Sequence, residues 1–122
     1  MLHPEFRKNA PPQSGASHWW MQRLSSILIA PLSLWFCWAL LMLEEHSQAT
    51  LIQWMQSPWT VVLLLAFLAV ACYHAVLGLR VVAEDYIHTD WLRAAVIALI
   101  YILFPLLTVL GVLAVLSVFL QA

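Results

Sequence analysis

Three apolar runs set the pattern of the chain, at about residues 24–43, 59–83 and 92–120, with short polar stretches between them. A helix needs about 20 residues to cross about 30 Å of hydrocarbon, and each run reaches that length. The pattern predicts an all-α membrane protein with three transmembrane helices, so the two termini should lie on opposite sides of the bilayer. Ser57 can cap the second helix with Pro58 at its first position, and Thr89 or Asp90 can cap the third. Pro31 and Pro105 fall inside the first and third runs, where each removes a helical hydrogen bond and calls for packing against a neighbour. Within residues 48–56, Leu51, Ile52 and Met55 recur at helical spacing, which predicts a short helix lying on the outer interface. The domain division expected is a polar tail over residues 1–17 and a membrane anchor domain over 18–122.

Composition agrees with lipid as the solvent. Of 122 residues, 64% are hydrophobic and 9% charged, more apolar surface than a water-soluble domain of this size can bury. Five Lys and Arg cannot build a phosphate-binding face, which excludes nucleic acid as a partner. Cys37 and Cys72 lie in apolar runs without metal-ligand spacing and read as two buried thiols. Residues 1–15 lack both the apolar stretch of a signal peptide and the Arg-rich character of a transit peptide, and a short disordered cytoplasmic tail is expected there. Trp19, Trp20 and Trp91 collect at one membrane edge and Trp54 and Trp59 at the other, as an aromatic belt does; Trp35 and Trp38 lie deeper and are expected to be packing residues. Arg7, Lys8 and Arg23 precede the first run and Arg80 and Arg93 flank the second connection, whereas the first connection holds Glu44, Glu45 and His46. This asymmetry predicts a cytoplasmic or matrix-side N-terminus.

The candidate chemistry lies in the second run, where His74 sits at membrane depth. On an ideal helix Gly78 lies about 40° from it and Asp85 about 20° from it, about 16 Å further along. One stripe therefore carries an imidazole, a gap without a side chain, and a carboxylate. Three roles are open to His74: a hydrogen-bonded core residue, a proton-relay member, or an axial ligand to haem. The clearance at Gly78 suits a porphyrin or a closely packed helix. No other histidine of the chain lies within the membrane, so a bis-histidine haem would take its second ligand from another subunit. Asp85 and Tyr86 stand where the run meets polar sequence, beside Glu84, His88 and Asp90. They read either as a solvated acidic helix end or as a carboxylate and phenol suited to the two-electron, two-proton reduction of a quinone. Arg23 and Arg80 either snorkel to lipid phosphates or hold a haem propionate bidentately.

The stretch from Tyr73 and His74 through Gly78 to Asp85 and Tyr86 resembles the haem and quinone signature in the smaller hydrophobic membrane anchor of succinate dehydrogenase of the proteobacterial and mitochondrial type. The run His18-Trp19-Trp20-Met21-Gln22-Arg23-Leu24-Ser25 is similar to the entry to the first helix in proteobacterial members. The resemblance covers nearly the whole chain. It implies that His74 is the axial ligand given to haem b, with the other coming from the larger membrane anchor, and that Arg23 lies near the propionates. It further implies that Tyr86 hydrogen-bonds a ubiquinone carbonyl near the iron–sulfur subunit, with Asp85 supporting proton delivery or the geometry of that site. The three spans would then join the larger anchor in a helical bundle, tethering the iron–sulfur and flavoprotein subunits to a bacterial inner membrane, or to a mitochondrial inner membrane if organelle-encoded. With no flavin motif and no cluster cysteines, the chain alone should not oxidise succinate. The competing expectations are a fumarate reductase or other cytochrome b anchor, and a cofactor-free structural membrane subunit.

Overall fold

A computed structural model of the protein describes residues 14–121, and the expected tail lies outside it up to residue 13. Four helices follow in order: α1 (Ser14–Leu41), α2 (Gln48–Met55), α3 (Pro58–Tyr86) and α4 (Asp90–Leu120). The three long ones are apolar enough to cross a membrane. At 1.5 Å per residue they run about 42–46 Å, so they tilt or continue beyond the hydrocarbon. α1 starts well before the apolar run because the polar residues from Ser14 to Arg23 continue the same helix. α1 and α4 pass through Pro31 and Pro105 without interruption.

Helix starts follow local chemistry. Ser47 caps α2, its hydroxyl accepting from the Thr50 amide at 3.2 Å. Ser57 and Thr89 occupy the cap positions of α3 and α4 without a side-chain cap bond, and Pro58 opens α3, where a missing N–H has no cost. Three residues separate α3 from α4. Arg93 holds that turn, donating to the Ile87 carbonyl at 3.3 Å and pairing with Asp90 at 2.7 Å. So short a link forces the two helices to lie antiparallel as neighbours.

The packing makes a layer rather than a closed bundle. α3 touches both α1 and α4, while α1 and α4 do not pack together. Helical geometry explains this. The α3 residues that face α1 (Phe67, His74 and Gly78) fall within about 40° of one direction, and those that meet α4 (Leu68 and Arg80) fall about 120° to either side of it. α1 and α4 therefore occupy opposite sides of α3. Phe36 of α1 stacks on Phe67 at 5.1 Å, and Trp35 stacks on Trp54 of α2 at 6.0 Å, tying the short helix down. Trp35 packs as expected, but Trp38 is 63% exposed and faces outward. Cys37 is also exposed on α1, correcting its expected burial, because its side of the helix has no neighbour within the layer; Cys72 is half-buried and both thiols are free. The interior is thin, with Val61, Leu64, Leu77, Ala83 and Ile100 as its buried apolar residues.

Candidate functional site

His74 lies in the middle of α3 against α1, and its Nδ1 is 2.8 Å from the Ser25 hydroxyl oxygen. Ser25 is buried at 3% exposure. Its hydroxyl also donates to the Gln22 carbonyl of its own helix at 2.8 Å. The imidazole is thus gripped on one nitrogen by a neighbouring helix, while Nε2 makes no hydrogen bond among the described residues.

One turn along α3, the clearance at Gly78 is taken up from within the chain. A Cβ at Gly78 would meet the Gln22 amide nitrogen at 3.6 Å, an ordinary contact. The gap expected to admit a porphyrin or a partner helix is occupied by the Gln22 side chain of α1. Ser25 opposite His74 and Gln22 opposite Gly78 fix an antiparallel register between α1 and α3. His18 Nε2 and Gln22 Oε1 are buried with no hydrogen-bond partner among the described residues. His18, Gln22 and Ser25 recur at helical spacing on one side of α1, so a polar seam faces α3 through an otherwise apolar contact.

The other expected site residues lie apart from this seam. Asp85 and Tyr86 close α3 and both are exposed, Tyr86 at 77%. Their surroundings among the described residues are open, as an edge awaiting a partner surface would be. Arg23 is exposed, its guanidinium 5.2 Å from the Trp19 ring centroid, a cation–π contact that leaves its N–H donors free of carboxylates among the described residues. Arg80 is different. It bonds Glu84 and the Tyr101 hydroxyl of α4, on the side of α3 away from His74, and is thereby removed from the candidates for a haem propionate.

His74 has the chemistry of a haem ligand, although the Gly78 clearance beside it is taken by Gln22. A neutral imidazole ligates through one nitrogen while the other donates to a neighbour, and His74 has Nδ1 engaged and Nε2 available. No group of three His, Cys, Asp or Glu side chains converges among the described residues. Sequence reasoning singled out His74 but gave no role to Ser25 or Gln22. The spacing of His18, Gln22 and Ser25 along one helix side was the signal for them.

Three long apolar helices in one layer, with many large apolar side chains turned outward, define a multi-pass membrane protein. The chain belongs to the succinate dehydrogenase/fumarate reductase transmembrane subunit family, whose model matches residues 2–115. It is 38% identical over 88 residues to the succinate dehydrogenase hydrophobic membrane anchor subunit of Rickettsia felis, covering 71% of this chain and 72% of that one. Against the protein of the same name in Rickettsia conorii it is 36% identical over 89 residues, covering 72% and 71%. The succinate dehydrogenase membrane anchor subunit of Reclinomonas americana is 28% identical over 94 residues, covering 75% and 78%. No solved structure matches the chain. The protein is an inner-membrane anchor subunit of an enzyme complex and is not itself catalytic.

Proposed function

We propose that this chain supplies one side of a haem b site and one edge of a ubiquinone-reducing site in a complex that passes electrons from succinate to ubiquinone. The observation that carries the reading is His74, held at membrane depth by Nδ1 with Nε2 free. His74 would be one axial ligand and a histidine of the larger membrane anchor the other. Arg23, free of carboxylate partners among the described residues, would hold a propionate. Haem bound there supplies a one-electron centre beside the quinone pathway.

At the end of α3 the Tyr86 hydroxyl is free to donate to a quinone carbonyl oxygen, and Asp85 to relay a proton from the aqueous edge. Reducing a quinone to a quinol takes two electrons and two protons. The electrons would arrive from flavin through the iron–sulfur subunit, and the protons from the face where Asp85 stands. The Arg and Lys near the N-terminus and the second connection support a cytoplasmic or matrix-side location for that face. The flavoprotein and iron–sulfur subunits would dock on the same face.

The test is a reduced-minus-oxidised spectrum of the purified complex. A b-type signal that His74→Ala weakens or shifts is expected. An unchanged spectrum in that variant removes the ligand assignment, and purification of the chain without a flavoprotein or an iron–sulfur protein removes the complex.

A further inference from the structure

Of the serine and threonine hydroxyls that hydrogen-bond within the long helices, Ser26, Thr108 and Ser117 return to carbonyls of their own helix. Such back-bonding is how a hydroxyl is satisfied in lipid. Ser25 does this too, donating to the Gln22 carbonyl, but it also reaches another helix at His74 Nδ1. A serine hydroxyl has one proton and two acceptor lone pairs. A Ser25 proton kept on the Gln22 carbonyl leaves the oxygen to accept at its other contact, an arrangement in which the proton between Ser25 and His74 sits on Nδ1.

From this we infer that Ser25 is a positioning residue for the ligand proposed above: it selects the Nδ1–H tautomer of His74 and fixes the plane of the ring, leaving the Nε2 lone pair for iron. The inference rests on the haem reading and adds to it the residue that prepares the ligand. The chain of contacts runs Nδ1–H to Ser25 Oγ and Ser25 Oγ–H to the Gln22 carbonyl, in a part-buried stretch of the α1–α3 contact with Ser25 itself buried. It ends on main chain, so the ring is referenced to the α1 backbone rather than to a mobile side chain. Once Nε2 is ligated, Nδ1 must remain a donor, and the Ser25 oxygen is already in place to receive it. A hydrogen bond at Nδ1 raises the basicity of the ligating nitrogen, which strengthens the iron bond and favours the oxidised state.

The experiment uses the whole purified complex and compares Ser25→Ala with Ser25→Thr, which keeps the hydroxyl. Ser25→Ala should accelerate haem loss to excess apomyoglobin by about 10-fold and move the haem midpoint potential to a more positive value. Ser25→Thr should match the unsubstituted complex in both. Ser25→Val, matched to Thr in shape, repeats the comparison if Ala disturbs packing. In the unsubstituted complex, an exchangeable proton on the Nδ1 of a haem-ligating histidine of this chain, detected by electron–nuclear double resonance with labelled histidine, should disappear from its Ser25-bonded position in the Ala variant. Haem loss and potential unchanged in Ser25→Ala, with His74→Ala still losing the signal, overturn the positioning role and leave the ligand assignment standing. A spectrum indifferent to His74→Ala overturns both.

Discussion

Arg80 of α3 and Tyr101 of α4 meet at 2.9 Å, the guanidinium donating to the phenol oxygen while its Nε donates to Glu84 one turn away. The guanidinium also lies 5.9 Å from the Tyr101 ring centroid. This cation belongs to the α3–α4 contact, opposite the His74 side. Arg80→Gln should therefore leave haem content unchanged, whereas Arg23→Gln should lower haem retention. The measurement is the b-type absorbance per complex after equal washing. Equal loss in the two variants would refute the distinction drawn between these arginines.

Tyr86→Phe removes one hydroxyl from an exposed ring. One hydrogen bond of about 0.5–1.5 kcal/mol corresponds to a fall of roughly 2- to 13-fold in quinone reductase turnover. Succinate oxidation with a soluble artificial acceptor should persist, because on the proposed reading the flavin and clusters would lie on other chains. A parallel loss in both assays would indicate damage to assembly instead.

Gly78 and Gly111 should respond in opposite ways to alanine. At Gly111 a Cβ would come 2.6 Å from the Leu68 Cδ2, so α3 and α4 must shift or Leu68 must change rotamer, at a cost of about 1–3 kcal/mol. At Gly78 the new methyl would meet only the Gln22 amide nitrogen at 3.6 Å, and a gain in helix propensity of up to about 1 kcal/mol accompanies it. Thermal unfolding in detergent should rank Gly111→Ala below the parent protein and Gly78→Ala level with it or above. Adding Leu68→Ala to Gly111→Ala should recover part of the loss; no recovery would show that the clash lies elsewhere.

The short helix α2 is held to α1 by rings, with Trp54 against both Trp35 and Phe36. Aromatic pairs contribute about 0.5–1.5 kcal/mol beyond the area they bury. Trp54→Ala should raise amide exchange across Gln48–Met55 while leaving α3 protected. Equal exchange in the two proteins would show that the ring stack does not hold the helix, which also packs against α3 and α4.

Length and apolar run were enough to read the three crossings, because a bilayer demands both from any helix that spans it. The short helix over Gln48–Met55 was legible for a similar reason, its apolar residues repeating at helical spacing before a Ser-Pro stop. Side-chain partners were not legible to the same degree. His74 announced itself by its cost in lipid, but Ser25 is a common residue in membrane helices, and only the register between α1 and α3 gives it a second bond. Gly78 was open to a porphyrin or to a helix, and nothing short of the positions of neighbouring side chains could choose Gln22. Arg80 and Arg23 look alike along the chain and differ only in what stands across from them.

Because α1 and α4 flank α3 without meeting, the layer is one helix thick and nearly every side chain is at a boundary. A protein with so little interior offers few buried positions at which sequence can tune its stability. Its persistence in the membrane should then follow mass action, rising with the supply of the chains that cover its broad faces. Substitutions on those faces should accordingly register as changes in copy number, tracking partner expression, before they register as changes in chemistry.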